Sequence, residues 1–263
     1  MVMPSEAVLR AFGVSGPFEL ERISSGRAST WRAGPLVFKA ADAPEGELAW
    51  QAQALGGLHV AGFRVGLPIP AIDNHFVIDG WCAMPFLPGA HEPHRWPEII
   101  EVGDRFHHSI RSLPRPSFLD GQTDRWSIGD RVAWGEHDPA AFVARSTHLE
   151  LLVEHLRPIA AVNQVIHGDL TGNVLFHGQL SPAIIDIVPY WRPCGFAAAI
   201  VVADALVWEG ADDALVDELA HRDHFGQLLL RALVYRLVTD LIAGSDNGSR
   251  YQRAIDLACA RTL

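Results

Sequence analysis

The stretch Val165-Ile-His-Gly-Asp-Leu-Thr-Gly-Asn-Val-Leu-Phe176, followed by Ala183-Ile-Ile-Asp-Ile187, constrains the chain more than any other part of it. Val165 and Ile166 are apolar and follow a run of helical spacing, and His167-Gly168-Asp169 reads as a sharp turn. Val174 to Phe176 begins a strand that turns at His177-Gly178, and Ala183 to Ile187 pairs back as a second strand with Asp186 at its end. Such a hairpin-like region brings Asp169, Asn173 and Asp186 to one rim. Two carboxylates and an amide oxygen are hard oxygen donors, suited to a Mg²⁺ ion that keeps part of its hydration and binds phosphates, and not to zinc. Taken singly, Asp169 and Asp186 read as turn residues and His167 as a buried, hydrogen-bonded core histidine. The joint pattern of Asp, Asn and Asp beside two apolar strands favours the chemical reading.

A chain of 263 residues is at the upper limit for one hydrophobic core, so one two-lobed domain and two small domains are both allowed. A net charge of −10 without a basic run argues against a nucleic-acid binder and tilts a small substrate toward neutral or cationic chemistry. Cys82, Cys194 and Cys259 are odd in number and far apart, which fits neither a disulfide framework nor a CxxC metal site. Met1 to Arg10 lacks a basic segment followed by an apolar one, and the apolar stretch Gly195 to Trp208 is short and carries Asp204. A cytoplasmic protein with no membrane partner is the expectation. The His-x-x-His pairs His91/His94 and His221/His224 have no third ligand nearby in sequence and read as solvated.

The composition changes once along the chain. Phe18 to Ile23, Ser29 to Arg32, Pro35 to Ala40, His75 to Ile78 and Trp81 to Phe86 read as strands, the last two around the turn Asp79-Gly80, with one helix, Gly46 to Leu58, among them. Beyond Pro85 the pattern predicts helices over Glu98 to Ser112, Pro139 to Asn163, Ala197 to Glu209, Ala214 to Ala220, Gln227 to Ala243 and Tyr251 to Arg261. The expected class is α+β, with a small β-rich lobe over 1–85 and a larger helical lobe over 86–263.

The residues of the central motif resemble the aminoglycoside phosphotransferase and choline kinase superfamily, whose fold is that of the protein kinases. Its signature is a His-Gly-Asp loop with an Asn further on, then an Ile-Asp or Val-Asp pair at the end of the next strand. The resemblance implies that Asp169 accepts or orients the proton of a substrate hydroxyl and that Asn173 and Asp186 are Mg²⁺ ligands. Asn173 stands four positions after Asp169, where the family usually has five. Asp186 is followed by Ile187 and Val188 instead of Phe-Gly, about ten residues before the next predicted helix. That leaves no room for a protein-kinase activation loop, so a small-molecule kinase is favoured.

The first lobe is then expected to supply the nucleotide's cover and its lysine. Ser24 to Thr30 lies between two strand-like runs, where Ser25 and Gly26 are placed to approach phosphates, although with one glycine an ordinary polar hairpin reads as well. Lys39, ending the apolar strand Leu36-Val-Phe-Lys39, matches the family position that contacts the α- and β-phosphates. The helix Glu that normally holds this lysine is replaced by Gln51. Either Glu47, one turn earlier on the same face, substitutes for it, or Gln51 hydrogen-bonds Lys39 at lower strength. Met84 and Phe86 match the connector on which adenine rests.

The same resemblance implies that Asp204, inside the apolar helix, buttresses the catalytic-loop backbone. Arg192 reads either as a phosphate or substrate contact or as a helix cap, and Asp120, Asp124, Arg125, Trp126 and Trp134 either line an acceptor pocket or fold a loop. The resulting expectation is ATP- and Mg²⁺-dependent transfer of a γ-phosphoryl group to a hydroxyl of a small molecule. The alternatives are a catalytically silent kinase-like nucleotide or ligand binder and, remotely, a metal-dependent hydrolase with His167 and Asp169 as ligands.

Overall fold

A computed structural model describes residues 3–16, 19–23, 30–58, 62–245 and 247–261. The chain forms two compact units, Met1–His91 with Gly172–Ile187, and Glu92–Thr171 with Val188–Leu263. A lobe drawn as 1–85 therefore leaves out a later segment that the chain contributes to the first unit.

In the first unit, helix α1 (Glu6–Ala11) is capped by Ser5, whose hydroxyl accepts the Val8 N–H at 3.3 Å. Strands β1 (Leu20–Ile23), β2 (Thr30–Ala33), β3 (Leu36–Ala40) and β5 (Trp81–Pro85) form an antiparallel sheet in the order β1-β2-β3-β5. Val8, Leu9 and Phe12 of α1 bury themselves with Phe38, Trp81 and Ala83 of the sheet, and Phe12 meets Phe38 edge to face at 5.7 Å. Helix α2 (Glu45–Leu55) sets Leu48 against Phe76 and Cys82. A second sheet has the order β4-β8-β7: β7 (Val174–His177) and β8 (Leu180–Ile184) are the antiparallel hairpin, and β4 (Arg64–Val65) runs parallel to β8. Arg64 ties this arrangement together by donating to the carbonyls of Ser181 at 2.8 Å and Pro88 at 2.7 Å.

In the first unit, two strands differ from the pattern read in the sequence. His75 to Ile78 is no strand; Ile78 makes a single bridge to Trp81 across Asp79 and Gly80, whose φ of 47° and 78° suit a tight turn. The strand expected over Ala183 to Ile187 stops at Ile184, because Asp186 adopts a left-handed φ of 48° that a strand does not accommodate.

The second unit is mainly helical: α3 (Trp96–Ile110), a 3₁₀ turn (Ser117–Gly121), α4 (Arg125–Ala133), α5 (Ala140–Val143), α6 (Thr147–His155), α7 (Gly195–Trp208), α8 (Ala214–Leu219), α9 (Phe225–Ile242) and α10 (Gly248–Ala260). Every residue from Phe196 to Val207 of α7 is buried, as expected of a helix apolar on all faces, and α9 packs against α4, α6, α7 and α10. The long helix expected over Pro139 to Asn163 is absent. Ser146 caps a new start by accepting the Leu149 N–H at 3.3 Å, and α6 ends at His155 because Pro158 forbids its continuation. Asn163–His167 is instead strand β6, paired antiparallel with β9 (Pro189–Pro193) so that His167 faces Pro189. Among the described residues no helix is long and apolar enough to cross a membrane.

Candidate active site

In the first unit, Lys39 lies near the end of β3 opposite Cys82 of β5. Asp186 is carried just past β8, where the Ile185 N–H donates to the Asn173 carbonyl at 3.0 Å and so closes the hairpin base between these two residues. The Lys39 ammonium lies 2.9 Å from Asp186 and 3.2 Å from Asp42. Burial works against the charged ammonium, but Asp186 and then Asp42 outweigh it and hold the Lys39 pKa above its usual value. Residues 39 and 186, from the two separate segments of the unit, thus meet as a charged pair. Aspartate is among the few side-chain-bearing residues that tolerate the left-handed backbone found at 186.

Gln51 of α2 is buried and does not serve Lys39. Its side-chain nitrogen donates to the Ile187 carbonyl at 3.0 Å and to Glu47 at 3.5 Å, and Glu47 is itself buried. The helix therefore braces the backbone immediately after Asp186. Met84 pairs with Val37 in the sheet and packs beside Leu48 and Phe76. Phe86 donates its N–H to the Pro35 carbonyl at 2.7 Å, and the Arg32 guanidinium covers its ring at 3.7 Å. Ser25 and Gly26 lie outside the described residues.

In the second unit, β6 delivers the turn that carries Asp169. His167 is fully buried, and its Nδ1 accepts N–H groups from Asp169 at 3.2 Å and Val188 at 3.3 Å, which assigns the ring proton to Nε2. The His167 N–H in turn donates to His107 Nε2 at 3.0 Å. Burial above all pushes His107 down to about 3, so it stays neutral and can accept that bond. Gly168 donates to the Val188 carbonyl at 2.9 Å, and a Cβ at this position would lie 2.2 Å from the Tyr190 ring. Two histidines and a glycine thus shape the turn, and His167 is the buried structural histidine of the plainer sequence reading. With Nδ1 turned to the backbone, the ring does not form the metal-ligand pair with Asp169 that a hydrolase would use.

Asp169 is partly exposed and receives a hydrogen bond from Arg236 Nη2 at 2.8 Å. Arg236 lies buried in α9 and also grips Asp204 of α7, with Nε to Oδ1 at 2.7 Å and Nη2 to Oδ2 at 2.6 Å. Burial pushes the Asp204 carboxyl up and the Arg236 guanidinium opposes it; the guanidinium itself is held well above its ordinary value by Asp204, Tyr235 and Asp169 against its own burial. Asp204 therefore supports the loop through an arginine. Sequence reasoning missed Arg236, although two arginines, Arg231 and Arg236, amid the apolar run Leu228 to Val238, with a buried Asp on another helix, are the signal that narrows the search to this pair.

Arg192 is neither a helix cap nor a free cation. It is buried between Asp130, at 3.0 and 2.6 Å, and Glu136, at 2.6 and 2.7 Å, beside a polar cavity of about 190 Å³ that Arg115 and Arg131 also line. Asp120 pairs with Arg115 at 2.6 Å, Asp124 caps α4, and Trp134 packs edge-on against Phe196. Trp126 lies beside two cations, with Arg125 at 4.8 Å and Arg236 at 5.5 Å from its ring. Among the described residues no group of three or more His, Cys, Asp and Glu side chains is placed to hold a metal ion. Asn173 and Asp186 are a sparser oxygen set, which fits a Mg²⁺ ion completed by water and phosphate oxygens better than a cage made by protein alone.

No family model matches the sequence, and no curated protein matches it. Solved structures do. Spectinomycin phosphotransferase APH(9)-Ia, in complex with ADP and spectinomycin, superposes with a TM-score of 0.57 at 16% identity, over 94% of this chain and 93% of that one. A thermostable mutant of aminoglycoside phosphotransferase APH(4)-Ia, in a ternary complex with AMP-PNP and hygromycin B, gives 0.60 at 13% identity and 96% of each chain. Choline kinase LicA from Streptococcus pneumoniae gives 0.58 at 12% identity, over 92% of this chain and 93% of that one. The chain therefore has the α+β, protein-kinase-like fold that aminoglycoside phosphotransferases and choline kinase share.

Proposed function

We propose that this chain is an ATP- and Mg²⁺-dependent phosphotransferase that moves the γ-phosphoryl group to a hydroxyl of a small molecule. The observation that carries this reading is the Lys39–Asp186 pair at 2.9 Å, an early-sheet lysine meeting a hairpin aspartate, within a fold whose solved examples hold ADP and AMP-PNP. Lys39 steadies the α- and β-phosphates. Asn173 and Asp186 would hold Mg²⁺, which when bound offsets the negative charge on the transferring phosphoryl group. Asp169 orients the acceptor hydroxyl and takes its proton. Catalysis is then mostly positioning and electrostatics, since this transfer needs little covalent help from the protein.

The net charge of −10 favours a neutral or cationic acceptor, and the three free cysteines suit a reducing cytoplasm. Met84 and Phe86 are the proposed adenine platform, and Ser25 and Gly26 the proposed phosphate cover. Asp169→Asn should abolish phosphoryl transfer while MgATP affinity by calorimetry is retained; a wild-type rate in this variant would sink the assignment. A screen of aminoglycosides, choline-like alcohols, sugars and hydroxy amino acids, read by ATP consumption, identifies the acceptor.

One observation favours a second reading, a catalytically silent nucleotide sensor. Gln51 is committed to the Ile187 carbonyl and carries no charge to pair with Lys39. A sensor would show an ATP-dependent thermal shift with no ADP formed, even slowly, whereas a kinase shows both.

A further inference from the structure

We propose that Arg236 is the positioning residue for Asp169, and that Asp204 acts by aiming this arginine; the proposal rests on the phosphotransferase reading. The geometry is a relay of three side chains from three separate segments. Asp204 on α7 takes two bonds from the edge formed by Nε and Nη2, which fixes the plane of the guanidinium. The same Nη2 then reaches Asp169 Oδ1 at 2.8 Å, so the direction of that bond is set by the fork on Asp204.

Two aromatic rings confine the guanidinium further: Tyr235 lies 4.9 Å and Trp126 5.5 Å from its central carbon. Arg236 and Asp204 are both almost fully buried, whereas the Asp169 side chain retains 40% of its surface exposure. A partly exposed carboxylate is thus tethered to a buried ion pair. Lysine cannot reproduce the tether, because an ammonium has no planar fork with which to hold Asp204 and point at Asp169 together.

The ordinary alternative is that Arg236 merely neutralises Asp204. Two variants separate the possibilities. Arg236→Lys keeps a charge against Asp204 and removes the fork; the double variant Asp204→Asn/Arg236→Gln removes both buried charges together, which avoids leaving one unpaired. The assay is ADP release from MgATP with water as acceptor, beside MgATP affinity by calorimetry and thermal unfolding.

The expected result is a kcat lower by about 100-fold in each folded variant, the size of a small misplacement of the reacting groups, with KM and affinity for MgATP unchanged. A wild-type kcat in either folded variant overturns the positioning role, as does a loss that appears only in KM. Wild-type protein that releases no ADP sinks the phosphotransferase reading itself, and this proposal with it. Active wild-type with equally active variants overturns the role of Arg236 alone.

Discussion

Gln51 of α2 donates a hydrogen bond of 3.0 Å to the carbonyl oxygen of Ile187, the residue next to Asp186. A helix position that resembles the lysine-holding Glu of kinases is used here to brace main chain. Gln51→Leu should cost about 1–3 kcal/mol in urea unfolding, because a buried carbonyl loses its donor, and should weaken MgATP binding through Asp186. Gln51→Glu should do no better, since a carboxylate cannot donate to that carbonyl. A glutamate variant as stable as the parent would mean that the bond carries no weight.

Asp186 combines a charge with a left-handed backbone, φ 48°, and the two can be pulled apart. Asn tolerates that conformation, so Asp186→Asn should leave the unfolding midpoint nearly unchanged while MgATP affinity falls and Lys39 loses its nearest partner. Asp186→Val should lower both, because a β-branched residue is strained at positive φ. Calorimetric affinity in the Asn variant equal to the parent would remove Asp186 from the proposed metal site.

Gly168 has no space for a side chain. With Cβ lying 2.2 Å from the Tyr190 ring, Gly168→Ala must displace either the ring or the turn that carries Asp169. The expected outcome is a destabilisation of about 1–3 kcal/mol and a fall in kcat larger than the change in MgATP affinity. Adding Tyr190→Ala to make room should recover part of the kcat. A single variant of normal stability and rate would show that the turn relaxes freely.

His107 gives the fold an acid sensitivity with a defined sign. Its folded value is pushed down to about 3, and the unfolded chain takes up the proton near the usual 6.5. Between those values the unfolded state binds more protons, so stability is fully present above about 6.5 and declines as pH falls toward 3. His107→Gln keeps an acceptor for the His167 N–H and removes the titration. Its unfolding midpoint should therefore depend less steeply on pH between 4 and 6 than the parent's, and identical slopes would assign the acid sensitivity elsewhere.

The parts of the fold legible in the sequence are those where periodicity and turn chemistry agree. The β7–β8 hairpin announces itself through apolar strands around His177-Gly178, and α7 and α9 through long apolar runs. The helix over-read across 139–163 fails for a local reason: apolar spacing continues through Leu149 and Leu152, but Pro158 sits in the path. Strand β9 was hidden because it begins and ends with proline, and it pairs on one side only, with β6, where a missing donor is tolerated. Partnerships were the least legible of all. Asp204 could be recognised as a buried carboxylate in need of a partner, but spacing along the chain does not reveal that Arg236 supplies it or that Arg236 continues to Asp169.

Gly172–Ile187 belongs to the first unit, although the chain on both sides of it belongs to the second. A gene fragment ending at His91 would encode β4 without β8, the strand it pairs with, and a fragment starting at Glu92 would carry the β7–β8 hairpin with no sheet edge to receive it. Exchange of one unit between homologues thus needs three junctions. One falls between Thr171 and Gly172, inside the short step from Asp169 to Asn173, and another directly follows Ile187, where Gln51 is anchored. Recombination at those points would alter the spacing among Asp169, Asn173 and Asp186 on which the proposed chemistry depends.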